Sequence, residues 1–307
     1  MPEIIPRPGT VPLDGNARPS GRAVASGDVP GRGIIPLQDA TVYGPVRSRR
    51  FGASLGINLL PTTHKVCSSN CVYCQYGWTT PLAEPSTEPG APRDARGGDG
   101  SAAAGGRPRL KKARQLLDEI AASFAHLAAE GTEVDCITLA GNGEPTVHPE
   151  LYEIIAGIRP LRDAAFPRAR ISILSDATQL ARPRVREALA LLDERYLKFD
   201  AADEAMWRKI NQPFGQGRFG AMLAAIKAVP EIWLQSLFMQ GSFDNTDEAH
   251  VAEWVRVVGD IRPLGVQVYT VDRGTAAPGI TEVPRAALSA IAARLTDTTG
   301  IPTEVFE

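Results

Sequence analysis

The chain has 307 residues, 43% of them hydrophobic and 22% charged, with a formal net charge of −2. That length supports a sizeable core in one domain or two small ones. The charge balance excludes an overall basic field that would gather nucleic acid or anionic lipid, and no apolar run approaches membrane-spanning length.

The opening residues, Met1-Pro-Glu-Ile-Ile-Pro6, lack the charged and apolar regions of a signal peptide, which predicts a cytoplasmic protein. Residues 1 to about 33 are rich in Pro, Gly and Arg and show no apolar period; they predict a disordered tail ahead of one domain over 34–307. An apolar run at Leu55–Leu60 predicts the first strand, and a loop dense in cysteine follows it. The Pro- and Gly-rich stretch from Pro81 to Pro108 has no aromatic residue and predicts a disordered insertion.

Beyond the insertion, Leu110, Ala113, Leu117, Ile120, Phe124 and Leu127 are spaced alternately by three and four, which predicts a helix closed by Gly131. Strands are predicted at Val134–Ala140, Ile171–Ser175, Tyr196–Phe199, Ile232–Met239 and Val266–Val271. Helices are predicted near Leu151–Ile158, Arg184–Leu192, Phe219–Val229 and Pro284–Leu295. One more carries Val251, Trp254, Val255, Val258 and Ile261 on one face, with Asn245 and Glu248 spaced as a capping pair. Six alternating β/α units imply a parallel sheet with helices outside it. An open three-quarter barrel and a doubly wound sheet both fit. In either, the site lies at the C-terminal strand ends, where Gly141–Thr146, Ser175–Asp176, Asp200 and Arg273 gather.

Cys67, Cys71 and Cys74 fall within eight residues, in Cys67-Ser-Ser-Asn-Cys71-Val-Tyr-Cys74; the fourth cysteine is Cys136. A secreted disulfide framework spreads its cysteines, so this grouping predicts ligation. Three thiolates can hold three irons of a 4Fe–4S cube and leave the fourth iron open. Structural zinc needs four ligands, usually in two pairs, and His64 is the one histidine near the loop. Cys136 lies inside a predicted strand and reads as a small buried hydrophobe.

The C-x3-C-x2-C spacing, with an aromatic before the last cysteine, resembles the signature of the radical S-adenosylmethionine superfamily. The longer context, Arg50-Phe-Gly-Ala-Ser-Leu-Gly-Ile-Asn58 and Asn70-Cys-Val-Tyr-Cys-Gln-Tyr-Gly77, is similar to a branch related to wyosine-base synthases of tRNA. The likeness runs from Tyr43 to the C-terminus apart from the insertion. It implies a partial (β/α)6 barrel of parallel strands with outer helices, a 4Fe–4S cluster on Cys67, Cys71 and Cys74, and S-adenosylmethionine as cosubstrate. Gly141, Asn142, Gly143, Glu144 and Pro145 resemble the superfamily's Gly-Gly-Glu-Pro segment, with Asn142 in place of the first glycine; the glycines would let backbone approach the ligand. Ser175 and Asp176 resemble a further cosubstrate-contacting segment. Lys198 and Asp200 share one strand face and stand where relatives carry a polar residue on the cosubstrate; a structural ion pair is the alternative. Gln235, Ser236, Tyr269 and Arg273 are further polar or aromatic candidates, while His126 and His250 read as solvated or structural.

The resemblance further implies one-electron supply from a flavodoxin or ferredoxin, and a 5′-deoxyadenosyl radical that abstracts hydrogen from the substrate. Near-neutral charge and the lack of an added RNA-binding module favour a small-molecule substrate over tRNA, with Arg47, Arg49 and Arg50 the only compact basic group near the first strand. An iron–sulfur electron carrier or sensor is the non-enzymatic alternative.

Overall fold

The computed structural model describes residues 33–79, 110–215 and 217–307. The expected tail, apart from Gly33, and the expected insertion lie outside the described residues. Strands β1 (Val42–Ser48) and β2 (Gly52–Ile57) form an antiparallel hairpin. There follow α1 (Ala113–Ala129), β3 (Cys136–Leu139), α2 (Leu151–Ala165), β4 (Arg170–Ser175), α3 (Pro183–Leu189), β5 (Glu194–Lys198), α4 (Glu204–Ile210), α5 (Phe219–Lys227) and β6 (Ile232–Leu237). The chain continues through β7 (Gln240–Gly241), α6 (Glu248–Ile261), β8 (Gly265–Tyr269), β9 (Ile280–Thr281), α7 (Arg285–Thr299) and β10 (Thr303–Phe306).

The main sheet runs β1-β2-β3-β4-β5-β6-β8-β10, parallel from β2 onward. A doubly wound sheet reverses its strand order at a switch point. Here successive strands pair in chain order with no reversal, so the sheet curls into a half-barrel, and the six predicted parallel strands form its body.

Alternation along the strands divides the two faces. Leu55, Ile57, Ile137, Leu139, Ile171, Ile173, Leu197, Leu234, Val266 and Val268 are fully buried against the helices. Each such side chain removed from water contributes about 1.5–3 kcal/mol. The concave face carries polar groups beside a small apolar cluster of Phe51, Cys136 and Tyr196: Ser54 and Thr138 hydroxyls meet at 2.9 Å, Ser172 reaches Thr138 at 3.2 Å, and Gln235 Nε2 donates to Gln267 Oε1 at 2.9 Å. Ser236 points the other way, to the helix side, where its Oγ donates to the Phe199 carbonyl at 2.6 Å and accepts from Trp254 Nε1 at 3.2 Å. It therefore does not line the interior, as its polarity suggested.

Several boundaries differ from the sequence reading for physical reasons. Helix α2 continues through Pro160 to Ala165 instead of ending at Ile158. The N-cap of α6 is Asp247, whose carboxylate accepts from His250 N at 2.9 Å. Asn245 is instead buried, with its amide donating to the carbonyls of Asp200 (3.0 Å) and Leu237 (2.8 Å). Gly131 does terminate α1, with φ of 71°. His250 is buried at 6% exposure, whereas His126 is exposed and faces Glu130.

Candidate functional site

The cysteine loop leaves the C-terminal end of β2 and is fastened to the rim of the half-barrel at three points. The first is Val66, which forms a parallel bridge with Gly143: Val66 N donates to the Asn142 carbonyl (2.9 Å) and Glu144 N to the Val66 carbonyl (3.1 Å). Gly143 has φ of 140°, and a Cβ there would lie 1.7 Å from the Val66 carbonyl oxygen. The glycine expected to admit a ligand thus admits the backbone of the cysteine loop. Asn142 is committed to the frame as well, with its amide donating to the carbonyls of Gln38 (2.8 Å) and Pro61 (2.9 Å).

The second fastening is Asp176 at the end of β4, whose Oδ2 accepts from the hydroxyls of Ser68 (2.8 Å) and Ser69 (2.9 Å). The third is Asp200, just beyond β5, which accepts from the Tyr73 phenol. Asn211 completes that corner; its Nδ2 donates to Asp200 Oδ2 (2.9 Å) and the Tyr73 oxygen (2.7 Å) and lies 3.6 Å from Cys71 Sγ. The end of α4 carries the outer wall, because Val72 N donates to the Ile210 carbonyl (2.9 Å) and Asn70 N to the Asn211 carbonyl (3.1 Å).

Of the expected rim residues, Glu144, Ser175, Asp176, Lys198 and Asp200 come together here, whereas Arg273 is exposed, with its Nη1 3.4 Å from Gln75 Oε1. Pro145 opens a 3-10 turn over Pro145–Val147. Glu144 is 3% exposed and accepts from Thr146 N (3.0 Å), Ser175 Oγ (2.8 Å) and Asp176 N (2.6 Å). Burial and the neighbouring Asp176 carboxylate raise its pKa, while those donors oppose the shift. Lys198 Nζ donates to Tyr269 Oη at 2.7 Å, lies 3.5 Å from Asp200 Oδ1 and sits 4.6 Å over the Tyr73 ring. Burial works against its charge, but Asp200 and Tyr269 outweigh it and hold the ammonium above the ordinary lysine value. Ser69, Asp176, Lys198, Asp200, Trp207 and Asn211 line one cleft beside the cysteines.

Cys67, Cys71 and Cys74 are free thiols, Cys71 buried and the other two partly exposed. Burial, then Asp176, pushes the Cys67 thiol well up, and burial pushes Cys71 up to about 11 against the pull of Lys198. A metal that binds there displaces those protons. Structural zinc is held by four ligands, and the loop offers three thiols. Soft donors spread along one loop suit a multi-iron cluster, in which each thiolate holds its own iron. Cys136 opens β3, at the opposite end of that strand from Gly141, with its Sγ 3.1 Å from Ser172 Oγ and no exposure.

The sequence reading did not identify Asn58, Lys65 or Asn211 as parts of the site, and it noted Tyr73 only as the aromatic of the cysteine signature. Asn58 carried a signal, a polar residue inside an apolar run; its Oδ1 accepts from Asn142 N at 3.1 Å. Asn211 carried none.

A half-barrel of parallel strands with a three-thiol loop fastened at its C-terminal rim is the layout of an α/β enzyme whose reactive centre sits at the barrel mouth. The family model described as the Radical SAM superfamily matches residues 62–255, and the chain belongs to that superfamily. Membership brings its two cofactors, a 4Fe–4S cluster and S-adenosylmethionine.

A UPF0026 protein of Synechocystis sp. is 32% identical over 232 residues, which cover 74% of this chain and 74% of that protein. Among solved structures, a radical SAM methyltransferase from Sphaerobacter thermophilus superposes with a TM-score of 0.54 at 15% identity, over 82% of this chain and 65% of that one. The structure of TYW1 with a lysine-pyruvate adduct bound gives a TM-score of 0.51 at 12% identity, over 80% and 74%. At these identities the two structures speak to the fold alone. Among the described residues, no helix is long and apolar enough to cross a membrane.

Proposed function

We propose that Cys67, Cys71 and Cys74 hold three irons of the cluster, and that the fourth iron faces the cleft bounded by Gly141–Pro145, Ser175, Asp176, Lys198 and Asp200, where S-adenosylmethionine binds. The observation that carries this reading is the triple fastening of one loop to the ends of three successive strands through Val66–Gly143, Ser68 and Ser69 with Asp176, and Tyr73 with Asp200. Bound there, the cluster and cosubstrate supply a one-electron cleavage of a carbon–sulfur bond, giving methionine and a 5′-deoxyadenosyl radical that abstracts hydrogen from the substrate. The chain's own residues do the remaining work. The interlocked Gly143 and Val66 fix where the first thiolate stands. Asp176 fixes the loop between Cys67 and Cys71, Asp200 fixes it between Cys71 and Cys74, and Lys198 offers an ammonium toward a cosubstrate carboxylate. A flavodoxin or ferredoxin supplies the electron, and the protein works in the cytoplasm.

The substrate reading favours a small molecule. Arg49 is paired with Asp272 at 3.1 Å, and Arg50 stacks on the Tyr269 ring at 4.8 Å. Two of the three arginines that would form an RNA-facing patch are thus engaged within the fold. Anaerobic reconstitution tests the proposal: about four iron and four sulfide per chain are expected, and Ala at Cys67, Cys71 or Cys74 removes them. A chain that takes up only zinc defeats it. Acceleration of S-adenosylmethionine cleavage by tRNA that fades steeply with salt would replace the small-molecule reading with the RNA one.

A further inference from the structure

Lys65 stands two residues before Cys67 and is 7% exposed. Its Nζ donates to Cys74 Sγ at 3.0 Å and to the Gly77 carbonyl at 2.9 Å. An ammonium withdrawn from water is unfavourable unless an anion faces it. Here its hydrogen-bond partners are a carbonyl and a sulfur that becomes anionic only as a thiolate. The arrangement contrasts with Lys198, whose ammonium has the Asp200 carboxylate at 3.5 Å.

We propose that Lys65 is the counter-cation of the cluster, a positioning residue that holds the Cys74 sulfur and makes the cluster easier to reduce. The inference rests on the cysteine assignment above. A cubane held by three thiolates is a net anion, and one-electron reduction adds a further negative charge. Net charge and hydrogen bonds to the sulfurs are among the factors that set such a potential, and burial strengthens both. A fixed cation on one ligating sulfur stabilises the reduced form more than the oxidised form. One electron passes from the donor to the cluster, and no bond breaks at Lys65. Because the Gly77 carbonyl shares the same ammonium, the residue also closes the turn that carries Cys74, so geometry and potential depend on one side chain.

The test uses the full chain, reconstituted anaerobically, as wild type and as Lys65→Arg, Lys65→Gln and Lys65→Met. Iron and sulfide are measured first. A wild type that takes up neither sinks the cysteine assignment itself, irrespective of Lys65. Loaded proteins are then titrated against dithionite and redox mediators while the reduced cluster is followed by electron paramagnetic resonance. Lys65→Arg is expected to stay near the wild-type midpoint. Lys65→Gln, which keeps a donor without the charge, and Lys65→Met are expected to be at least tenfold harder to reduce, a one-electron shift of about 59 mV to more negative potential. Failure of both neutral variants to load, while Lys65→Arg loads, would support the counter-cation directly. A fully loaded Lys65→Gln with an unchanged midpoint would overturn the proposal. So would the failure of all three variants to load, which would make Lys65 a steric strut.

Discussion

The phenol of Tyr73, one residue before Cys74, donates to the carboxylate of Asp200 at the end of β5, so a cysteine-loop side chain and a barrel-rim side chain share one proton-bearing contact. Asp200 is 3% exposed, and its oxygens are further taken by Leu237 N (2.9 Å), Asn211 Nδ2 (2.9 Å) and Lys198. Its carboxylate holds the loop and the lysine together. Replacing Asp200 by Ala leaves the Lys198 ammonium buried beside no anion, and removal of one partner of a buried pair costs about 3–5 kcal/mol. Because Lys198 keeps some solvent contact, the lower end of that range is expected in a denaturant titration, together with reduced iron uptake. A loss below 1 kcal/mol would show that the corner is held by other contacts.

Gly143 sets a second constraint. Alanine there meets the Val66 carbonyl oxygen at 1.7 Å, in a backbone region that L residues rarely adopt. Strain of that kind costs about 1–3 kcal/mol, and relieving it pushes Val66 and Cys67 away from the rim. Gly143→Ala is therefore expected to lose cluster iron as well as stability. Gly131→Ala is the control: its φ is also positive, but no atom lies within 4 Å of the added Cβ. It should cost about 1–2 kcal/mol, the penalty of an L residue in the left-handed region, and keep its iron.

Cys136 provides the opposite expectation. It is fully buried at the start of β3, far along the strand from the loop, in a small cluster with Phe51 and Tyr196. Cys136→Ala should cost about 1 kcal/mol of stability and leave iron and sulfide content unchanged. Iron loss in this variant would place a fourth ligand where the fold gives it no access.

Acid should destabilise the chain through His148. Its ring bridges the Lys111 carbonyl (3.0 Å) and Glu150 N (3.2 Å), so Nδ1 accepts and Nε2 carries the proton of a neutral imidazole. Burial lowers its pKa. The unfolded chain then binds a proton that the folded chain refuses, so stability is present above the ordinary histidine value of about 6.5 and is lost as pH falls below it. His250, also depressed by burial, acts in the same direction. The unfolding temperature of wild type is expected to drop between pH 7 and pH 5, and His148→Asn to drop less steeply. Parallel profiles would remove His148 from this account.

The parallel core was legible because each buried strand is a short apolar run between turn residues. The edges were not. In β1, Gly44-Pro45 interrupts the pattern, the pairing register shifts between Tyr43 and Val46, and most of the strand is exposed. Strand β10 has four half-buried residues, too few to show a period, and α4 is only seven residues long. The sequence reading stops α2 near Ile158, while the helix runs on through Pro160 to Ala165. The cysteine loop was legible because its donors are adjacent in sequence. What fastens it was not, because Tyr73 and Asp200 are 127 positions apart and Ser68 and Asp176 are 108 apart. Such pairs have no local signature, and each residue alone has an ordinary structural reading.

The central claim is that the three loop cysteines hold a cluster that cleaves S-adenosylmethionine. The most direct test is the amount of 5′-deoxyadenosine formed when anaerobically reconstituted, dithionite-reduced protein is given that cosubstrate. Wild type and Cys136→Ala should form it along with methionine, and Cys67→Ala, Cys71→Ala and Cys74→Ala should form none. A fully loaded wild type that yields no 5′-deoxyadenosine under any reducing condition, or a Cys71→Ala variant that yields it at the wild-type rate, would contradict the claim.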